Sequence, residues 1–242
     1  MLTGKLMGAG GIGGLPVEFV GYKVHSATQV STTQTVTVDG ALTGGTRSST
    51  QVGDYVVVFA SGVDSGGNCS IQVSGFSAIA PQISTTNTYE GDAAVFGKIL
   101  TGSLASVDVS YFGAYARDSV VITVLVFANV DAASPIDGSV LSSSSSSTST
   151  ATTPAVTPSS SGNMIVCLAS STDYNNATSY TVSTSFDDTF VAYQVETRGD
   201  VIHGVGLSVA TNTSSFGPVT WTPNVVGSTP SYQAYSLVLN KA

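Results

Sequence analysis

The 242-residue sequence predicts an all-β protein: an antiparallel two-sheet sandwich, jelly-roll-like, with a glycine-rich N-terminal arm. Three observations predict this class. Short runs of β-branched and aromatic residues recur at close spacing, turn-forming residues separate them, and no convincing segment has the 3.6-residue period of a helix. A chain of this length can bury a large core without disulfides or metals. We therefore expect an arm, residues 1–15, and one β-sandwich domain, residues 16–242.

The first half of the chain contains the clearest strand signals. Residues 55–60 (YVVVFA) are apolar without alternation, which is typical of a strand covered on both faces. Residues 106–112 (SVDVSYF) alternate, so they need cover on one face only. Together with residues 94–100 and 119–130 they are expected to form an antiparallel meander. The other strands predicted here are residues 17–24, 34–38 and 69–76.

Residues 139–161 are rich in Ser, Thr and Pro and provide few large side chains for a core. We interpret this segment as a surface crossover or a polar edge strand, and not as a linker between domains. The reason is that the apolar runs on its two sides need each other as cover. Beyond it, strands are predicted at residues 164–170, 181–186, 189–196, 203–211, 218–223 and 232–240.

Charged residues are scarce, at 9% of the chain, and the formal net charge is −8. Nucleic-acid binding needs clustered cations, so nucleic acid is not an expected partner. The longest apolar run, residues 119–130, is too short to span a bilayer as a helix. The glycine-rich start lacks the apolar segment of a signal peptide. We therefore expect neither a membrane partner nor an export signal.

Residues 8–13 (GAGGIG) match the Gly-x-Gly-x-x-Gly dinucleotide pattern. That pattern binds a pyrophosphate only between a buried strand and a helix, and neither is predicted on its two sides. We interpret the segment instead as a flexible peptide that lies against another protein, and we expect no cofactor. The residues expected to make these partner contacts are Leu2, Leu6, Met7, Gly10, Gly11, Ile12 and Leu15.

The sequence offers no catalytic residue, and we expect that the protein is not an enzyme. It lacks the Gly-x-Ser-x-Gly elbow, and His25 and His203 lie in strand-like surroundings with no carboxylate next to them in sequence. The adjacent pair Asp187 and Asp188 is interpreted as a solvated turn and not as the acid pair of a glycosidase. The oxygen-rich segments 64–68 and 173–176 could hold Ca²⁺ but lack EF-hand spacing, so no metal ligand is assigned.

Two further residue types have a structural and a functional interpretation. Cys69 and Cys167 each lie in an apolar strand pattern, which favours two buried thiols and leaves one disulfide between neighbouring strands as the alternative. Aromatic side chains usually pack between sheets, but in a protein with few charges they could also stack on sugars. The candidate glycan contacts are Tyr174, Tyr180 and Trp221.

Four segments resemble a β-sandwich module of tailed-bacteriophage virion proteins. They are GDYVVVFASG (53–62), VLVFANVDAASPID (124–137), TTPAVTPSSSGNMIVCLAS (152–170) and YQAYSLVLN (232–240). The resemblance spans most of residues 53–240, consists of strand and turn patterns, and brings no catalytic residues with it. Such modules occur in head decorations, fibres and tail-associated adhesins, so the resemblance implies a virion structural role.

The resulting expectation is a protein on the virion surface, of the capsid decoration, cement or head-fibre type, attached through its arm. The partners expected are other virion proteins, namely major capsid or tail proteins, and further copies of the chain, with a trimer as the first choice. The alternative is a tail-fibre or tail adhesin module that binds host surface glycans. The sequence lacks the long heptad or Gly-X-Y repeats of fibre shafts, which favours the first interpretation.

Overall fold

The structure, a computed structural model, describes residues 14–30, 32–64, 66–86, 90–113, 116–148, 150–173, 177–194, 200–224 and 231–242. Its regular elements are all β-strands. Nothing in this part of the chain forms a helix with the length and apolar character needed to cross a bilayer.

The described residues form seventeen strands. The first half contains β1 (Glu18–Val30), β2 (Thr33–Thr37), β3 (Tyr55–Asp64), β4 (Ser70–Val73), β5 (Ser77–Ala78), β6 (Ile83–Thr85), β7 (Glu90–Ile99), β8 (Ser106–Phe112) and β9 (Arg117–Ala128). The second half contains β10 (Leu141–Ser145), β11 (Ala151–Thr153), β12 (Met164–Asp173), β13 (Tyr180–Val182), β14 (Asp188–Gln194), β15 (Asp200–Val209), β16 (Val219–Pro223) and β17 (Ser231–Leu239).

The strands form four antiparallel sheets. Two are large, with the orders β1-β9-β3-β7-β5 (β6 also pairs with β7) and β10-β17-β12-β15-β14. Two are small, with the orders β2-β8-β4 and β11-β16-β13. The predicted all-β antiparallel sandwich is confirmed, but the number of sheets is four and not two. The predicted meander is wrong, because β7 and β9 both pair with β3 while β8 lies in a different sheet.

The four sheets stack in the order small, large, large, small, with a core in each of the three gaps. Alternate residues of β3 show why. Val56, Val58 and Ala60 pack against the small sheet of the first half, whereas Tyr55, Val57 and Phe59 pack against the other large sheet. The third core, around Trp221, lies between the second large sheet and its small sheet. The prediction that residues 55–60 are covered on both faces is therefore confirmed.

The two halves of the chain have the same strand order. Strands β1, β9, β3 and β7 correspond to β10, β17, β12 and β15, and β2, β8 and β4 correspond to β11, β16 and β13. The two halves also match in sequence. The segment GDYVVVFASGVD (53–64), which contains β3, has the same position in its sheet as GNMIVCLASSTD (162–173), which contains β12. The equivalent Ser61 and Ser170 touch, the Ser170 hydroxyl donating to Ser61 Oγ at 3.0 Å. The halves are thus related by an approximate two-fold axis that passes between these serines.

Both ends of the described chain lie at one end of the stack, which we call the terminal pole (residues 14–17 and 240–242). Val17 N donates to Gly162 O at 2.9 Å, and Ala242 N donates to Asn129 O at 2.9 Å. The Asn129 amide donates to Pro16 O at 3.1 Å. These bonds hold the start of the described chain beside its last strand.

The opposite end is the loop pole, defined by Asp64, Glu90, Arg117, Asp200 and Ser231 at the strand ends. Strands β1, β3, β6, β8, β10, β12, β14 and β16 end there, and the strands that follow them begin there. The Thr85 hydroxyl donates to Ser231 Oγ at 3.0 Å across the two large sheets, which places their loop-pole ends together.

The segment 139–161 is not only a crossover, because it contains β10 and β11. Strand β10 pairs with β17 at the edge of a large sheet, and β11 pairs with β16 at the edge of a small one. The alternative of a polar edge strand is therefore correct. Short, Ser-rich strands with few apolar side chains suit an edge, where only one side of the ladder is paired.

Candidate functional site

The arm predicted to bind a partner joins the fold at the terminal pole. Of the seven residues predicted to make partner contacts, only Leu15 is described. Its side chain is 70% exposed. Leu2, Leu6, Met7, Gly10, Gly11 and Ile12 lie outside the described residues, as does the Gly-x-Gly-x-x-Gly pattern.

A groove of about 450 Å³ opens beside Leu15. Its floor is apolar and brings together distant parts of the sequence: Val17, Phe19, Met164 and Leu207. The first two come from the start of the chain, and the other two belong to the second large sheet. The groove therefore lies where β1 of the first half meets the second half.

The rim of the groove is acidic. Glu18, Asp187 and Asp188 line it and are exposed, and no lysine or arginine is among the described residues that line it. Asp187 Oδ2 accepts a hydrogen bond from Val209 N at 2.8 Å, which fixes one carboxylate at the rim. The sequence interpretation of Asp187 and Asp188 as a solvated pair agrees with their exposure.

His203 lies at the centre of the molecule, between the two large sheets. Its ring is 0% exposed and stacks on Phe59, with 4.1 Å between ring centroids. Ser61 Oγ is 2.5 Å from Nε2, and Thr123 Oγ1 is 3.0 Å from Nδ1. Because Ser170 donates to Ser61, the Ser61 proton is available to Nε2, and Nδ1 carries the ring proton. The Ser–His pair is enclosed on all sides, so it is placed for packing.

Burial lowers the pKa of His203 to about 3, from an ordinary value near 6.5. The unfolded chain binds a proton as the pH falls below about 6.5, but the folded chain does not until about pH 3. The contribution of the buried, neutral His203 to folding stability is thus fully present above pH 6.5. It is lost progressively as the pH falls from 6.5 to about 3. We expect a loss of roughly 2 kcal/mol at pH 5, measured by urea denaturation. In His203→Gln this part of the pH dependence should vanish; an unchanged slope would contradict the assignment.

A buried ion cluster holds the loop-pole end of the first half. The Arg117 side chain is 1% exposed and donates from Nη2 to Asp64 Oδ2 at 2.9 Å. Its Nη1 lies 3.7 Å from Asp92 Oδ2 and donates to Gly67 O at 2.6 Å. Asp64, in the segment considered for Ca²⁺, is therefore paired with an arginine. In the described parts of the chain, no three His, Cys, Asp or Glu side chains are grouped to hold a metal.

Of the three aromatic candidates for glycan contact, Trp221 is buried and Tyr180 is half-buried. Trp221 is 1% exposed, stacks on Phe186 and meets the edge of Tyr180, so neither face is open to a sugar. The Tyr180 hydroxyl donates to Ile202 O at 3.2 Å, and burial raises its pKa. A stacking role for Trp221 is thus wrong, because its side chain lies between the small sheet that carries it and the second large sheet. Tyr174 lies outside the described residues.

The two cysteines are free and buried. Cys69 lies in the core of the first half and Cys167 in the core beside Trp221, so both large sheets separate them. The alternative of a disulfide between these two residues is therefore wrong. Burial raises the pKa of Cys69 to about 12, with Asp92 adding to the effect, and that of Cys167 to about 11.

These thiols should be unreactive in the native protein, because the nucleophilic thiolate is both disfavoured and shielded. We expect Ellman's reagent to release no product from native protein and two equivalents after addition of guanidinium. Rapid reaction of either thiol without denaturant would show that its core opens.

Comparisons of the chain with protein-family models, with curated proteins and with solved structures found no match. The class of protein that the structure defines is an all-β protein of stacked antiparallel sheets. Its notable surface features are an acidic-rimmed apolar groove at one pole and strand connections at the other.

Proposed function

We propose that the chain is a structural protein on the surface of a tailed-bacteriophage virion, of the capsid decoration, cement or head-fibre type. Residues 1–15 attach it to a capsid or tail protein, and the sandwich projects outward. The observation that carries the proposal is the arrangement of the poles. The arm joins the fold beside Leu15 at the terminal pole, so attachment there leaves the loop pole facing away from the particle.

The segments that resemble phage virion proteins support the fold part of this proposal. They include most of β3, β12 and β17 and the last part of β9, which are central strands of the two large sheets. In the first half, a sheet with the order β1-β9-β3-β7 faces a sheet with the order β2-β8-β4, and the equivalent strands of the second half are arranged in the same way. This arrangement supports the jelly-roll assignment. Jelly rolls are frequent in viral capsid proteins and in lectins.

The polar groups of the interior also support a structural role. The Ser61 and His203 pair and the ion cluster of Arg117 are enclosed, and their contacts join strands to each other. A homo-oligomer, with a trimer as the first choice, would multiply the attachment area of a short arm on a symmetric particle.

The second candidate function, a tail adhesin that binds host glycans, has one observation in its favour. Phe112 and Tyr193 are 55% and 47% exposed, and each lies near the loop-pole end of its strand. Exposed aromatic faces are the usual platforms for sugars. Silence on a glycan array, with normal host adsorption by Tyr193→Ala virions, would remove this candidate.

The main proposal is tested on particles that lack the protein. Purified full-length protein should bind them and be found by mass spectrometry at a constant copy ratio. A variant without residues 1–13 should bind at least tenfold less, because most of the arm is gone. Tyr193→Ala, altered at the loop pole, is the matched control and should bind as the unaltered protein does.

Two results would overturn separate parts of the proposal. Equal binding of the truncated variant would show that the arm is not the attachment element. Absence of the polypeptide from purified virions would remove the virion role itself.

A further inference from the structure

Strand β14 is an edge strand of the second large sheet. All seven of its residues pair with β15 in a regular antiparallel register, and no other described residue pairs with it. Its outer edge therefore presents backbone N–H and C=O groups to solvent, and such an edge is a template for a further strand. The side chains of Val191 and Tyr193 are 36% and 47% exposed, so apolar surface is uncovered beside these groups.

The comparable edges of the first large sheet are closed. Two short strands, β5 and β6, occupy the place beside β7 that corresponds to β14, and Pro81 separates them. The outer edge of β1 is bonded to a loop, since Tyr22 and Thr43 exchange two backbone hydrogen bonds of 2.9 Å. Short strands, prolines and covering loops are the usual devices against edge pairing. Strand β14 (DTFVAYQ) has no proline, lysine or bulge, so its edge stays open.

The open edge of β14 is self-complementary in an antiparallel pairing. A two-fold axis at Val191 pairs all seven residues of one copy with the seven of another. The cross-strand pairs are then Val191 with Val191, Thr189 with Tyr193, Phe190 with Ala192 and Asp188 with Gln194. The first two pairs lie on the exposed face, where β-branched residues opposite each other or opposite aromatic residues stabilise a sheet. On the inner face, the ring of Phe190 lies opposite a methyl group.

The charge of β14 also permits pairing with a second copy, although each chain has a net charge of −8. Asp188 is the only charged residue of the strand. In the pairing about Val191, the two Asp188 residues lie at opposite ends, six residues apart along the strands, or roughly 20 Å. That separation exceeds the screening length of about 8 Å at physiological ionic strength. No like charges therefore face each other across the paired strands.

We propose that β14 is an interface between two copies of this chain, paired antiparallel about a two-fold axis at Val191. The pairing joins the two five-stranded sheets into one continuous sheet. Because the strands are antiparallel, the terminal poles lie at opposite ends of the pair. The contact thus belongs to the free protein and is distinct from the trimer proposed for the attached one. The inference does not depend on the virion role, and its tests use protein without particles.

Sedimentation of the full-length protein tests the pairing, with circular dichroism to show that each variant is folded. A monomer–dimer equilibrium is expected. Val191→Lys should raise the dimer dissociation constant by roughly tenfold or more, because two ammonium groups then face each other at the axis. A mixture of Val191→Lys and Val191→Glu should restore the dimer.

Leu141→Lys is the matched control for this test. Leu141 is 39% exposed and lies on β10, at the opposite edge of the same sheet, so this variant should dimerise as the unaltered protein does. Equal weakening by the two lysine variants would overturn the proposal. An unaltered protein that stays monomeric up to about 0.1 mM would do the same.

Oxidative cross-linking tests the register. In Val191→Cys the new side chains of two copies lie directly opposite, with Cβ atoms about 5 Å apart, close to the geometry of a disulfide. In Tyr193→Cys they lie four residues apart along the strands, roughly 14 Å, so no bond can form within the pair. Copper phenanthroline should therefore link Val191→Cys into a covalent dimer roughly tenfold faster, while the buried Cys69 and Cys167 do not react. Equal rates, or a faster link in Tyr193→Cys, would contradict the proposed pairing.

Discussion

Arg117→Met is expected to lower the free energy of unfolding by roughly 3–5 kcal/mol. The substitution removes the cation between Asp64 and Asp92 and leaves two carboxylates in the interior. Asp92 is 0% exposed, so water cannot replace the lost partner. A buried charge without a counter-ion costs far more than an exposed pair contributes.

Urea denaturation followed by circular dichroism measures this loss. Arg47→Met is the matched control, because Arg47 also pairs with an aspartate, Asp54 at 2.7 Å, but its side chain is 24% exposed. We expect that control to lose roughly 1–2 kcal/mol. If Arg117→Met does not fold, Arg117→Lys provides the measurement, since it keeps the charge but loses the fork of donors. Equal losses at the two arginines would contradict a special role of burial.

Trp221→Ala is expected to cost roughly 3–5 kcal/mol, because it empties the centre of the core between the second large sheet and its small sheet. The ring packs against Phe186 and Tyr180, and Gly204 lets it lie against β15: a Cβ at that position would be 2.6 Å from the ring. Trp221→Phe keeps much of the volume and should cost about half as much.

Thermal or urea unfolding by circular dichroism tests the tryptophan variants, with Tyr193→Ala as a surface control expected to change stability by less than about 0.5 kcal/mol. Since Trp221 is the single tryptophan of the chain, its emission in the unaltered protein also reports its burial. Efficient quenching by iodide in the native state would contradict the packed position. A small loss in Trp221→Ala would do the same.

The local pattern of apolar and polar residues was sufficient to predict individual strands and how many of their faces are covered. The unbroken apolar run at 55–60 indicated cover on both faces, and the structure provides it with a large sheet on one side and a small sheet on the other. The alternation at 106–112 indicated one covered face, as β8 has in an outer layer. The pairing of these strands was not predictable in the same way, since a meander and a crossing between layers have the same local pattern.

The number of layers was missed although the sequence contains a signal for it. GDYVVVFASGVD (53–64) and GNMIVCLASSTD (162–173) match in register and indicate a repeated unit. The groove had no such signal, because Val17, Met164 and Leu207 become neighbours only when the halves pack. The burial of Trp221 agrees with the packing role that aromatic residues usually have, and the glycan alternative stayed open because alternation along its strand does not tell which face another sheet covers.

A chain that contains two copies of one strand order offers each folding strand two sets of compatible neighbours, and exchange between copies is a known route to kinetic traps. Differences in sequence between the two copies disfavour that exchange. Asp92, opposite Gly62, occupies the place that Ile202 has opposite Ser171. If β15 took the place of β7, Arg117 would face an isoleucine instead of a carboxylate. Since a buried charge is costly when its partner is removed, we expect the ion cluster to disfavour that exchange.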